Sequence, residues 1–259
     1  MTTRTKHAVL CRSALAGLAI LSLAACGPRE PSTDAERLAR GRELVQQMSD
    51  RLAAATEFSV ATTETRDVVR LSGAKETLSG TGVYTVRRPD RFHVKLTGGR
   101  NIESWYNGKV LTMAAHQDKV FAQAPMPENI NRTLDVLAER YDMALPMGDL
   151  FYGPAAKALL SDATTGGYAG REDVGGTSCY HLAFQDTGAD FELWLPVGGE
   201  PLPKRFKVVQ KKRRGQPVVD VTFNEWNFAP QTSNATWVPK LPEDYEGIAV
   251  VQRAAAVRK

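Results

Sequence analysis

The residues that could do chemistry are few and far apart. Past the first 25 residues the chain holds three histidines, His93, His116 and His181, and two cysteines, Cys26 and Cys179. The run "TSCYHLAF" sets Cys179 two residues before His181, so on a strand both side chains fall on one face. That is the start of a thiol–imidazole pair. A working pair also needs a third group to orient the base, and none is visible in the sequence. The alternative for Cys179 is a small buried residue with no disulfide partner. No histidine sits in H-E-x-x-H or another metal-ligand spacing, and no G-x-S-x-G, phosphate loop or dinucleotide fingerprint is present. The carboxylates are scattered, with no spacing that pairs two of them for acid–base work. The expectation is a protein that is not an enzyme, with no catalytic residue, no metal and no cofactor.

Cys26 is different because of what precedes it. Arg4, Lys6 and Arg12 form a basic start, and an apolar run from Ala14 to Ala25 follows, too short for an ordinary spanning helix. Residues 1–25 therefore read as an export signal. Leu23-Ala24-Ala25-Cys26 resembles the lipobox of bacterial lipoproteins; the other reading is an ordinary signal with a chance cysteine. The resemblance implies that Cys26 becomes the first residue of the mature chain and carries a diacylglycerol on its sulfur. Each buried CH₂ of such a chain contributes ~0.8 kcal/mol, so two or three chains anchor firmly. Gly27 in the next position implies the outer membrane under the enteric sorting rule. Residues 26–33 would be the lipidated tether and 34–259 the folded domain.

Removal of the signal also changes the charge argument. The whole chain has 33 basic and 29 acidic residues. Loss of three basic groups leaves 30 against 29, so bulk charge gives no reason to expect nucleic acid. One local run remains, Lys211-Lys212-Arg213-Arg214. It lies between "RFKVV" and "PVVDVTF", where Phe206 and Val208, then Val219, Val221 and Phe223, alternate as strand faces. Arg214-Gly215-Gln216-Pro217 supplies a turn, so the run is a hairpin tip. A solvated loop end and contact with anionic headgroups or an acidic partner both stand; nucleic acid does not, for an exported chain without interleaved aromatics.

The elements that must position these residues are mostly strands. Asp34 can cap a helix over 37–55, with Leu38, Val45, Met48 and Leu52 along one side. From Glu57 to Pro125 the period changes to two. Tyr84 and Val86 oppose Val83, Thr85 and Arg87; Phe92, Val94 and Leu96 share a face; Arg88-Pro89-Asp90 and Asn107-Gly108 mark tight turns. Residues 129–143 read as a helix, and a second helical piece is interrupted near Gly153-Pro154. Period two then returns through "TSCYHLAF", "DFELWLP", "KRFKVV" and "PVVDVTFNEW". The expected class is α+β: about ten or eleven antiparallel strands, an N-terminal helix and a central helical insertion.

The motifs "VYTVRRPDRFHVKL", "WYNGKVLTM", "YDMALPMGDLF", "GREDVGGTSCYHLAF", "FELWLPVGGEPLPKRFKVV" and "FNEWNFAP", in that order across roughly Gly82 to Pro230, resemble the DUF2092 family of exported bacterial proteins. That family is similar in fold to the LolA/LolB/RseB-type half-barrels. The resemblance implies an antiparallel sheet curled into an incomplete barrel, with helices on its concave side. It also implies a concavity of the kind that takes lipid acyl chains in better-known relatives. The candidate lining residues are Tyr84, Val86, Phe92, Val94, Trp105 and Leu111 from the first half. Met113, Phe191, Leu193, Phe206 and Val208 complete the set. Alternating apolar residues also make a plain core, so each has two readings. Two functions follow: binding of a lipid or lipoprotein acyl chain, or an envelope adaptor that meets another periplasmic protein with its concavity filled by its own side chains. The polar, Pro-rich segment after Trp226 gives no firm final strand.

Overall fold

The computed structural model describes residues 29–99, 101–143, 145 and 147–252; the signal segment, Cys26 and Gly27 lie outside the described residues. The first element is a helix, α1 (Asp34–Ala53). Its cap is Thr33 rather than Asp34. Thr33 is extended, its hydroxyl accepts from the Glu36 amide at 3.2 Å, and the Glu36 carboxylate accepts from the Thr33 amide at 3.0 Å. Leu44, Val45, Met48 and Leu52 form the buried stripe.

Among the described residues twelve strands follow in one sheet: β1 (Glu57–Val69), β2 (Lys75–Arg87), β3 (Arg91–Thr97), β4 (Ile102–Tyr106), β5 (Val110–Ala115) and β6 (Val120–Pro125) come first. Three helices intervene, α2 (Ile130–Tyr141), α3 (Gly148–Phe151) and α4 (Ala155–Leu160). Then come β7 (Ala163–Val174), β8 (Thr177–Asp186), β9 (Ala189–Pro196), β10 (Arg205–Gln210), β11 (Val218–Asn227) and β12 (Glu246–Gly247). The order is β12-β6-β5-β4-β3-β2-β1-β11-β10-β9-β8-β7, which leaves the sheet open. Consecutive strands pair as antiparallel hairpins, as short polar turns require. The exceptions are β6 and β7, which α2–α4 separate and which lie toward opposite edges of the sheet, the central β1·β11 pair, which joins the two halves, and β12, which lies parallel to β6. The twelfth strand falls in the Pro-rich segment whose composition carries no strand pattern.

Every hairpin turn lies at one of two ends. The turns at 88–90, 107–109 and 175–176 and the loop at 197–204 share one end; those at 70–74, 98–101, 116–119, 187–188 and 211–217 share the other, called the tip end below.

The helices cover one face, the inner face. Phe151 of α3 sits over its centre, with ring centroids 5.8 Å from Tyr84, 6.4 Å from Phe92 and 6.5 Å from Phe58. Arg88 donates from Nη1 at 2.6 Å to the Phe151 carbonyl and from Nη2 at 3.3 Å to that of Tyr152, which fastens α3 to the β2–β3 turn. On the other side α1 crosses β7 at a backbone contact. A Cβ on Gly41 would lie 2.6 Å from the Gly167 Cα, so only glycine allows this approach. The core of this half adds Phe184, Phe191, Leu193, Phe206 and Val221.

Candidate functional site

The inner face is not filled evenly. Beneath α2, at the β4–β6 end, lies a cavity of about 340 Å³, within the ~300–1,000 Å³ range of small-molecule sites. Its floor is Leu111, Met113 and Ala115 of β5 with Ala122 and Ala124 of β6, where Leu111 pairs with Ala124 and Met113 with Ala122. These alanines leave the room: the corresponding inner positions of β1–β3 hold Phe58, Val60, Tyr84, Val86, Phe92 and Val94. Leu137 and Tyr141 of α2, with Met143 just beyond it, make one wall. Ile248, Ala249, Val250 and Val251 of the C-terminal tail make the other. The lining is almost wholly apolar, which suits an aliphatic chain.

The tail reaches this wall by crossing the outer face. Thr232 donates its hydroxyl to Glu57, and Trp237 is fully buried with the Arg87 guanidinium 4.9 Å from its ring. The Tyr245 hydroxyl meets His116 Nδ1 at 2.8 Å, and Lys119 pairs with Asp244 at 2.7 Å. The Glu246 amide donates to the Lys119 carbonyl and the Ile248 amide to that of Phe121. Behind Tyr245 stands a carboxylate shared by two imidazoles: Glu103 meets His93 Nε2 at 2.7 Å and His116 Nε2 at 3.0 Å. Burial pushes the Glu103 pKa upward, but the bonds to His93 and His116 more than offset it and hold it below the ordinary value.

A second cluster of the same make lies on the outer face of β8 and β9. His181 stacks on Trp194 at 4.5 Å, as His93 stacks on Trp105 at 5.4 Å. Glu192 precedes Trp194 by two residues, as Glu103 precedes Trp105. Both ring nitrogens of His181 face carboxylates, Glu172 at 3.1 Å and Glu192 at 2.9 Å. So groups that orient the imidazole exist, contributed by neighbouring strands where spacing could not reveal them. They also occupy both nitrogens, so neither is left to take a proton from Cys179. Burial raises the Cys179 thiol pKa, and the thiol donates at 3.4 Å to the Thr177 carbonyl. Among the described residues no group of three or more His, Cys, Asp or Glu could hold a metal ion.

Of the eleven residues proposed from sequence as lining, Leu111 and Met113 border the cavity. Tyr84, Val86, Phe92, Val94, Phe191, Leu193 and Phe206 are buried in the continuous core, and Val208 packs half-buried against it. Trp105 is the one on the wrong face. β4 directs Tyr106 inward against Phe92, 5.2 Å between centroids, and Trp105 outward onto His93. In the pair "WY" the period of two admits only one inner residue, and register with β3 selects the tyrosine. The helix over 129–143 is where the sequence puts it, but its residues, the alanines and the tail are not in the expected lining set. "TMAA" and "FAQAP" did carry a signal, since small residues at inner positions of neighbouring strands mean space.

Residues 41–251 match the model of DUF2092, described as a predicted periplasmic protein. The chain belongs to this family. Several solved structures are similar at low identity. An uncharacterized conserved protein from Thermus thermophilus has 13% identity and a TM-score of 0.47, with 80% of this chain and 98% of that one covered. The Mycobacterium tuberculosis lipoprotein LppX has 13% identity and a TM-score of 0.43, with 74% and 97% covered. The Pseudomonas aeruginosa MucA/MucB complex has 16% identity and a TM-score of 0.44, with 77% and 61% covered. No curated protein matches the chain.

Proposed function

We propose that this DUF2092 member is a non-enzymatic envelope lipoprotein that holds one apolar chain, a lipid or lipoprotein acyl chain, in the cavity beneath α2. Cys26 carries its anchor, and its place is the periplasmic side of the outer membrane. The observation that carries the reading is the alanine floor, which leaves about 340 Å³ of apolar space beside an otherwise solid core. A lipidated protein does not shuttle easily between membranes, so the role is closer to an acceptor than a carrier. The adaptor reading draws support from a different feature, the centre of the inner face, which is filled by Phe151 and its neighbours.

Residues 31–259 contain the whole sheet and core and form one compact unit, so they can be tested alone. Native mass spectrometry should find co-purified lipid, and a fluorescent fatty acid should bind and be displaced by unlabelled fatty acid. Ala122→Leu should abolish that binding. No lipid and no fatty-acid binding would sink the ligand reading and leave the adaptor.

A further inference from the structure

Two hairpin tips clasp each other at the tip end. Arg214 Nη1 donates to the Leu71 carbonyl at 3.2 Å, and Lys75 Nζ reaches the Gln216 carbonyl at 3.5 Å. The Val218 amide donates to Asp67 Oδ2 at 3.1 Å. Arg213 donates to the Asp142 carbonyl at 2.8 Å, which ties the same tip to the end of α2. The basic run seen in the sequence is thus joined by Arg70 and Lys75, which are distant in the chain.

The apex of this assembly is a leucine. Leu71 is 98% exposed, the most exposed large apolar side chain among the described residues. Turns favour Gly, Asn, Asp or Ser, and "RLSGA" already supplies Ser72 and Gly73, so the turn itself has no need of Leu71. Four cations of these tips have carboxylate partners: Arg70 with Glu76, Lys75 with Asp67, Lys211 with Asp190 and Arg213 with Asp142. A bare leucine at a tip with Arg214 against its own turn and Lys212 at the 187–188 turn of the same end, neither with a carboxylate partner among the described residues, is complementary to a surface with anionic headgroups outside and acyl chains beneath. The cavity wall reaches the same end, because Ile102 begins β4, Ala115 ends β5, and Tyr141 and Met143 lie at the end of α2.

We propose that the tip end docks on an anionic phospholipid surface, with Leu71 entering the acyl region and Lys212 and Arg214 at the headgroups. This contact is separate from any anchor at Cys26 and does not depend on the cavity being occupied. The same sequence features in an acidic-protein site would need no leucine at the apex, which is why the membrane is favoured.

The test uses residues 31–259, which lack Cys26, and co-sedimentation with vesicles of phosphatidylglycerol and phosphatidylcholine against phosphatidylcholine alone. Binding is expected only to the anionic vesicles and should weaken at high salt. Leu71→Asp, and separately Lys212→Ser with Arg214→Ser, should each weaken it on the order of tenfold while circular dichroism, melting temperature and fatty-acid binding stay unchanged. Absence of binding to anionic vesicles, or binding that neither variant alters, would overturn the docking face. Fatty-acid binding serves as the separate readout, since it reports on the cavity and not on the tips.

Discussion

The two ends of the inner face are built from the same strand pattern and packed in opposite ways. Over β1–β3 large side chains meet one residue of α3, and Phe151 closes the space against Phe58, Tyr84 and Phe92. Over β5–β6 the same alternation carries Ala115, Ala122 and Ala124, and the space beneath the helix stays open. The lesson is that alternation specifies which face a residue takes, while residue size at that face specifies whether the fold leaves a site. A half-barrel of this make can be core along most of its length and a container at one end.

The comparison can be broken by substitution. The largest effect is expected at the filled end. Phe151→Ala should cost about 3–5 kcal/mol in denaturant melts, because it removes an aromatic that contacts three strands and leaves a cavity. A loss below about 1 kcal/mol would mean that the centre is not the solid core described. At the other end Ala122→Leu should change stability by no more than about 1 kcal/mol, since the added carbons enter existing space. A cost as large as that of ordinary core overpacking would show that the space is not there.

A smaller effect sharpens the comparison between the two histidine–tryptophan clusters. Glu103 and Glu192 are both held below the ordinary carboxylate pKa, Glu103 despite burial through His93 and His116, Glu192 despite burial through Lys207 and His181. A depressed folded pKa gives stability that is complete above the unfolded value of 4.5 and is lost as pH falls through the lowered one. Glu103→Gln should therefore flatten the acid limb of melting temperature against pH, and so should Glu192→Gln. Only Glu103 lies behind Tyr245, so only Glu103→Gln should also loosen the tail and weaken fatty-acid binding. Equal effects of both variants on binding would remove the tail from the cavity wall.

How much was legible beforehand varies by element. The Asn107-Gly108 turn and the break at Gly153-Pro154 rest on local chemistry and stand where it puts them, whereas the first helix forms in the expected stretch but starts from Thr33 and not Asp34. Large apolar residues at alternating positions mark the core first, so of the expected lining only Leu111 and Met113 border the cavity and most of the rest is core. Trp105 shows the second failure: adjacent aromatics in "WY" cannot both face inward, and only pairing with Phe92 and His93 decides between them.

The sequence by itself determined the family, the antiparallel class and the faces of most strands, because periodicity and turn chemistry act over a few residues. Tertiary structure alone decided three things. It placed β11 beside β1, it brought the tail across the outer face to β6, and it clasped the tips around Leu71. Each joins residues more than a hundred positions apart, and such pairings are set by the closing of the whole sheet, which no short window of sequence encodes.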